Sequence, residues 1–199
     1  MPTEPARARS LNDTRNLILD VALDVLGQNP NAGMADVASA AGVVRRTVYG
    51  HFPTRTDLVR SLTQRAVDEM VAVLTEVNAS DGQPETAWVD FVAHVWPLAR
   101  RYRVLIALRR GEYGEEIHAL LGPVDQILAD LVQRGQDTGA FGRHLPAETL
   151  SQVAYATVFS IADNHRSDKA LDARAAKITS LLILGVPEPR AQALADGKP

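Results

Sequence analysis

Residues 42–58 read GVVRRTVYGHFPTRTDL and concentrate side chains that bind anions. Residues 43–60 hold four arginines against one acidic residue, Asp57. The groups able to contact a negatively charged partner are set between small apolar residues: Arg45, Arg46, Thr47, Tyr49, His51 and Arg55. Such a cluster indicates a surface for one extended anion, such as a nucleic acid.

The charges of the chain are divided unevenly between its two parts. Residues 1–60 contain seven basic and six acidic residues, a net charge of +1, whereas residues 61–199 contain 14 basic and 18 acidic residues, a net charge of −4. Their sum is the formal charge of −3. The overall balance therefore hides a small basic face on an otherwise acidic protein.

Helical spacing surrounds the basic segment on both sides, and no convincing strand alternation occurs. Upstream, Asn12 or Asp13 can cap a helix with this apolar stripe: Leu17, Ile18, Val21, Ala22, Val25 and Leu26. MADVASAAG (residues 34–42) predicts a short helix that Gly42 ends, and a second short helix follows at about 44–50. Pro53 breaks the chain, and Thr54 caps a long helix at about 55–77.

Two short helices joined by a tight glycine-containing turn, and braced by a longer first helix, predict a helix-turn-helix. The second short helix of that motif enters the DNA major groove. Arg45 and Arg46 lie at its N-terminal end, and arginine's planar fork suits bidentate contact with guanine. Donors for phosphate oxygens follow in Thr47, Tyr49, His51 and Arg55.

With Ile18 and Ala22 upstream, the segment VASAAGVVRRTVYGHFPTRTDLV resembles the tetracycline-repressor (TetR) family of transcriptional regulators, over about residues 12–60. The family tract has the form A-x-x-A-G-V-S-x-G-T-x-Y-x-H-F-x-x-K-x-x-L. The matching residues here are Ala38, Ala41, Gly42, Val43, Thr47, Tyr49, His51, Phe52, Arg55 (for lysine) and Leu58. The resemblance implies that Phe52 anchors the small core and that phosphates are contacted by Thr47, Tyr49, His51 and Arg55.

Two positions depart from the family tract. Val44 stands where the family usually has serine, so the second short helix lacks a side-chain cap worth roughly 0.5–2 kcal/mol. Arg46 stands where a small residue lets that helix approach the groove closely. A long cation there either reads a base or pushes the helix outward.

The remainder of the chain predicts helices at about 84–109, 112–138, 147–165 and 171–185, giving an all-α protein of about nine helices. The expected organisation is a flexible arm at 1–11, a helix-turn-helix DNA-binding domain at 12–57, a helical ligand-binding and dimerisation domain at 58–186, and a flexible tail at 187–199.

Aromatic and polar residues within the later helices are mostly core residues when taken singly. Collectively they fit a largely apolar pocket with a few orienting polar groups. The candidates are Trp88, His94, Trp96, Tyr102, His118, Tyr155 and Phe159. The family resemblance implies a cavity for a small, mostly apolar effector among these helices.

The last two predicted helices of the body carry apolar residues on more than one side. Either they form an internal core pair, or they pack against their own copies across a two-fold axis. The resemblance favours the homodimer. The interface candidates are Leu150, Val153, Thr157, Val158, Ile161, Ile178, Leu181 and Leu182.

Motifs of other function classes are weak. The chain has no cysteine and therefore no disulfide, thiol nucleophile or cysteine-ligated zinc, and its start does not read as a signal peptide. Glu115-x-x-His118 is a single copy of a spacing that di-iron bundles use twice. No enzyme activity, cofactor, metal or membrane contact is expected.

The sequence predicts a cytoplasmic repressor that binds double-stranded operator DNA and is released from it by a small-molecule effector. The alternative is a helical small-molecule-binding protein or enzyme with an incidental helix-turn-helix.

Overall fold

A computed structural model describes residues 4–78, 82–109, 111, 113–164 and 171–197 of the chain. Over these residues it contains helices and no strand, which confirms the all-α prediction. The helices are α1 Glu4–Gln28, α2 Met34–Ala40, α3 Arg45–His51, α4 Arg55–Asn78, α5 Pro84–Arg101, α6 Val104–Arg109, α7 Gly114–Leu120, α8 Gly122–Thr138, α9 Ala147–Asn164, α10 Ala173–Ile183 and α11 Glu188–Ala195.

The chain divides into two compact units. The first unit comprises residues 1–65 and 104–117, and the second comprises residues 66–103 and 118–199. The division thus falls within α4 rather than at its start, and α6 joins the first unit although it lies far along the chain. Helical periodicity carries no information about which distant segments pack together.

The first unit has a core in which α1 packs its apolar stripe. Ile18, Leu19 and Leu26 are completely buried, and Val48 of α3 is buried with them. Leu17, which the stripe included, is instead half exposed. The helix also begins at Glu4 and not near Asn12, so the predicted flexible arm is helical from residue 4.

The turn chemistry around α2 and α3 follows the prediction. Gly42 adopts φ 66°, the left-handed region that glycine enters without strain, and the amide of Val43 donates to the carbonyl of Ala38 at 3.1 Å. At the start of α4, the amide of Thr54 donates to Oδ2 of Asp57 at 3.0 Å, and the amide of Asp57 donates to Oγ1 of Thr54 at 3.1 Å. This reciprocal pair is a capping box, so the predicted cap is confirmed.

The second unit is a helical bundle in which α9 packs against α5, α8 and α10. Trp88 of α5 is fully buried, and its Nε1 donates to Oγ of the buried Ser180 in α10 at 2.9 Å. The indole therefore satisfies its one polar group inside the core. At the end of α8, Gly135 faces the ring of Phe141 so closely that an added Cβ would lie 2.0 Å from the ring.

Two segments that the sequence predicts as single helices are each divided into two helices in the structure. The segment at 84–109 is broken after Arg101, whereas Pro97 lies inside α5. Proline removes one backbone hydrogen bond, but the buried Val95, Trp96 and Ala99 around it hold the helix on the core. The segment at 112–138 is divided into α7 and α8 before Gly122.

The predicted flexible tail is wrong over Glu188–Ala195, which forms α11. Ala191 is fully buried, and α11 packs on α5 and α10. Pro187 and Pro189 are compatible with this helix because they stand at its N-cap and first turn, where no intrahelical N–H bond is needed.

Within the described residues, no helix is both long and apolar enough to cross a membrane.

Candidate nucleic-acid interface

The short helix α3 separates its apolar residues from its basic ones. Val48 and Phe52 are buried and stand four residues apart, so they lie on one face. Arg45, Arg46 and Tyr49 are exposed and lie on another face at the same helical spacing. Burial of the apolar face thus fixes which side of α3 is turned to solvent.

Thr47 and His51 flank this exposed face. Both are half-buried, and their four-residue spacing places them on a common edge of α3. The His51 ring lies 6.2 Å from the Phe52 ring, centroid to centroid. The exposed and half-buried groups of α3 together offer guanidinium, hydroxyl and imidazole donors on one surface.

The start of α3 has no side-chain cap. Val44 occupies the N-cap position and is 70% exposed, and no side-chain hydrogen bond is made there. Its carbonyl accepts from the amide of Thr47 at 2.9 Å. The departure from serine that the sequence indicates is therefore a missing cap in the structure as well.

Arg55 is directed at the protein itself. Its Nη1 donates to the hydroxyl of Tyr113 at 2.6 Å, its Nε donates to the carbonyl of Ala32 at 3.3 Å, and its Nη2 donates to the carbonyl of Pro30. The guanidinium carbon also lies 5.2 Å from the centroid of the Tyr113 ring. The structure thus groups Arg55 with the loop before α2 and the turn before α7, not with the exposed groups of α3.

Sequence reasoning did not find Tyr113 or Arg15 as neighbours of this region. Arg15 of α1 lies with its guanidinium carbon 5.3 Å from the centroid of Phe52 and donates to Oγ of Ser61 at 3.1 Å. No signal in the sequence connects these residues to the motif, because both contacts depend on how distant helices pack.

The predicted effector residues separate into buried and exposed groups. Trp88, Trp96, Tyr102 and Tyr155 are buried, and Phe159 is half-buried with its ring 5.3 Å from that of Tyr155. His94 and His118 are exposed, and the His94 ring pairs with the backbone carbonyl of Asp90. The structure therefore brings together Tyr155 and Phe159 but leaves both histidines at the surface.

The predicted dimer residues also divide. Leu150, Val158 and Leu181 are completely buried in the single chain, where α9 packs on α10. Val153 and Leu182 are 44% and 42% exposed. Partial exposure is found for the rest of the set: Thr157, Ile161 and Ile178. The internal pair and the outward face thus both exist, on different residues.

Glu115 and His118 of the single Glu-x-x-His spacing are both exposed on α7. Among the residues with described positions, no group of three or more histidine, cysteine, aspartate or glutamate side chains is placed to hold a metal ion.

The family model of the bacterial regulatory proteins of the tetR family matches residues 18–62, which include α2, α3 and the turn between them. The TetR-like regulator LfrR from Mycobacterium smegmatis, solved in complex with proflavine, has a TM-score of 0.68 and 26% identity, covering 88% of this chain and 96% of that one. The chain is thus similar to regulators of the TetR family, in sequence over residues 18–62 and in fold over most of its length.

Further comparisons agree with the TetR fold. FadR, a fatty acid degradation regulator from Bacillus halodurans, has a TM-score of 0.72 at 21% identity and covers 85% of this chain and 94% of its own. In sequence, the transcriptional repressor LfrR of Mycolicibacterium smegmatis is 40% identical over 74 residues, which are 37% of this chain and 39% of the relative. The regulator AcrR of Shigella flexneri is 30% identical over 86 residues, 42% of this chain and 40% of the relative. The match thus spans about two fifths of the length of these curated relatives.

Proposed function

We propose that the protein is a cytoplasmic, homodimeric transcriptional repressor that binds double-stranded operator DNA and is released from it by a small-molecule effector. The observation that carries this proposal is the exposed face of α3, where Arg45, Arg46 and Tyr49 stand outward from a helix anchored by Val48 and Phe52. This face lies in the helix-turn-helix segment that the TetR family model matches.

The donors of α3 have two roles in the proposal. Arg45 and Arg46 read base edges in the major groove, because a guanidinium can donate two parallel hydrogen bonds to guanine. Phosphate oxygens are contacted by the neutral or switchable donors on this face and at its edge: Thr47, Tyr49 and His51. Phosphate contacts set orientation and affinity, whereas base contacts set the preferred sequence.

A dimer would present two copies of α3 to one DNA face. We place the dimer contact on the outward residues of α9 and α10, with Val153 and Leu182 at its centre. Leu150 and Leu181 are not available for this contact because they are buried in the core of the single chain. An isologous contact of two such helix pairs forms a four-helix interface. The two recognition helices would then bind successive major grooves, about 34–36 Å apart.

The effector proposal rests on the second unit. LfrR from Mycobacterium smegmatis is solved with proflavine, and the second unit of this chain contains the aromatic residues Trp96, Tyr155 and Phe159. A small, mostly apolar ligand that prefers one arrangement of the second unit would act on α4, which contributes residues to both units. Operator affinity falls when the ligand binds the wrongly spaced state better than the DNA-bound one.

Fluorescence anisotropy with DNA from upstream of the protein's own gene tests the DNA-binding role. We expect saturable binding that exceeds binding to scrambled DNA, and a linear fall of log affinity with log salt. Arg45→Gln and Tyr49→Phe should both weaken binding. Arg134→Gln, which removes the same charge from an exposed position of α8, is the matched control and should bind as the wild type does.

Equal affinity of the wild type for upstream and scrambled DNA would contradict sequence-specific recognition. Equal weakening by Arg45→Gln and Arg134→Gln would reduce the role of α3 to a general charge effect.

A further inference from the structure

Arg55 connects three segments of the first unit that are distant in sequence. It stands in the first turn of α4, and its guanidinium donates to the carbonyls of Pro30 and Ala32 in the loop before α2 and to the hydroxyl of Tyr113 in the turn before α7. Tyr113 is buried, so its ring presents a fixed acceptor and a fixed apolar face to the guanidinium. We refer to Arg55, Pro30, Ala32 and Tyr113 as the Arg55 clasp.

A second link, one and a half turns further along α4, joins this helix to α7. Arg60 pairs with Glu116 of α7 through its Nε. Residues 104–117 are grouped with the first unit, and these polar contacts accompany the packing of α6 on α1. The Arg55 clasp is therefore one of several contacts that join α4 to the segment at 104–117, and not a single surface contact.

The geometry of the clasp requires the guanidinium group. Two carbonyls and one hydroxyl are contacted by three different nitrogens of one planar fork, while the plane also lies beside the Tyr113 ring. An ammonium group is a single point with three donors and cannot span these acceptors in the same way. For Arg55 to reach a DNA phosphate, it would have to give up these contacts.

The clasp bears on α3 through the helix that precedes it. Ala32 directly precedes Gly33, the N-cap residue of α2, whose amide donates to Oδ2 of Asp36 at 2.8 Å. α2 packs against α3. A displacement of the loop at Pro30 and Ala32 therefore changes where α2 begins and how α3 is presented.

We infer that Arg55 is a positioning residue for DNA binding, which acts through Tyr113 and the loop before α2 to hold α2 and α3 in the binding arrangement, and that it is not a phosphate contact. This inference rests on the proposed function, because its effect is on operator affinity. It departs from the phosphate role that the resemblance of Arg55 to the family lysine implies.

The variants Arg55→Gln, Arg55→Lys and Tyr113→Phe separate the two roles in operator binding measured against salt. A positioning role predicts that Arg55→Gln weakens binding about tenfold with the salt slope of the wild type, that Arg55→Lys does not rescue it, and that Tyr113→Phe, which keeps the ring and removes only the acceptor, weakens binding about threefold. The double variant Arg55→Gln/Tyr113→Phe should bind no more weakly than Arg55→Gln, since both changes break one clasp.

A phosphate role predicts the opposite set of results. The salt slope of Arg55→Gln would fall by about one per half-site. Arg55→Lys would retain both slope and affinity, and Tyr113→Phe would bind as the wild type does. Any of these results would overturn the inference, and Arg134→Gln controls for the change in net charge.

Hydrogen exchange of the free protein tests the clasp independently of DNA. In Arg55→Gln and Arg55→Lys, amides at 29–33 and 113–117 should exchange faster than in the wild type, while those of α9 should be unchanged. Unchanged exchange at both segments would overturn the clasp even if DNA binding holds. A wild type that binds no DNA would overturn the proposed function, whereas faster exchange in the same variants would still support the contacts of Arg55.

Discussion

The exposed face of α3 and the outward face of the α9–α10 pair are both surfaces that the sequence predicts, but they were not equally predictable. On α3, Arg45, Arg46 and Tyr49 are exposed as expected. On α9 and α10, the residues expected at one surface are divided between the core and the solvent, with Leu181 fully buried beside the 42% exposed Leu182. A charged face opposite an apolar one has a single stable orientation, whereas an apolar stripe indicates burial without indicating the partner.

The largest expected effect separates the two kinds of apolar residue on α10. Leu181→Glu places a carboxylate in the fully buried core and should destabilise the chain by about 4 kcal/mol or more. Its neighbour Leu182 is exposed, so Leu182→Glu should leave the monomer folded and dissociate the proposed dimer. Circular dichroism reports folding, and sedimentation velocity at micromolar concentration reports the oligomeric state.

Val153→Glu on α9 should behave as Leu182→Glu does, because Val153 is also exposed. A folded dimer in both of these variants would place the dimer contact elsewhere. A folded Leu181→Glu protein with native stability would show that the α9–α10 pair is not an internal one, and the comparison between the two faces would fail.

The second prediction concerns a contact of the second unit that no periodicity reveals. Gly135 lies in α8 against the buried ring of Phe141, and the ring atoms would be 2.0–2.7 Å from a Cβ at this position. Gly135→Ala should destabilise the protein by about 1–3 kcal/mol, although alanine is normally the better helix former. Gly50→Ala in α3, where an added Cβ meets nothing within 4 Å, is the matched control.

Urea unfolding of both variants measures the difference in the free energy of unfolding. If Gly135→Ala is as stable as the wild type, Phe141 moves at little cost, and the close packing of α8 contributes nothing specific to the second unit.

Local chemistry explains why the helix-turn-helix was predictable. The left-handed turn at Gly42 and the Thr54–Asp57 capping box each depend on residues close together in sequence, and the structure has both. The junction of Arg55 with Tyr113 joins residues 58 positions apart, and the start and packing of α11 depend on its neighbours α5 and α10. The periodicity of a single sequence carries no information about such contacts. It therefore could not predict where the two units divide or that residues of the tail form α11.

The third prediction tests whether the α3 face reads bases. If Arg46 donates both hydrogen bonds to guanine, Arg46→Gly should cost about 1–3 kcal/mol at the native operator and relax the preference at one position per half-site. A phosphate contact alone would lower affinity for all sequences equally and reduce the salt slope. Binding selections on randomised half-sites with wild type and variant distinguish these results, and identical base preferences would rule out base reading by Arg46.

The smallest effect concerns the one local feature of α3 that departs from a stable helix start. Val44 makes no side-chain capping bond and is 70% exposed, so its replacement removes no buried apolar contact. In Val44→Ser, the hydroxyl can accept from an amide of the first turn, and the variant should be stabilised by about 0.5–1 kcal/mol. Val44→Ala, which shortens the side chain without adding an acceptor, is the control and should stay within about 0.5 kcal/mol of the wild type. Urea unfolding measures both, and equal stability of the serine and alanine variants would show that the α3 amides are satisfied without a cap. Stability and DNA contact are separate properties of this position. Operator affinity measured on the same samples therefore tests whether the exposed Val44 contacts DNA. A serine variant that is more stable but binds its operator more weakly would show that α3 lacks a cap in favour of an apolar contact in the groove.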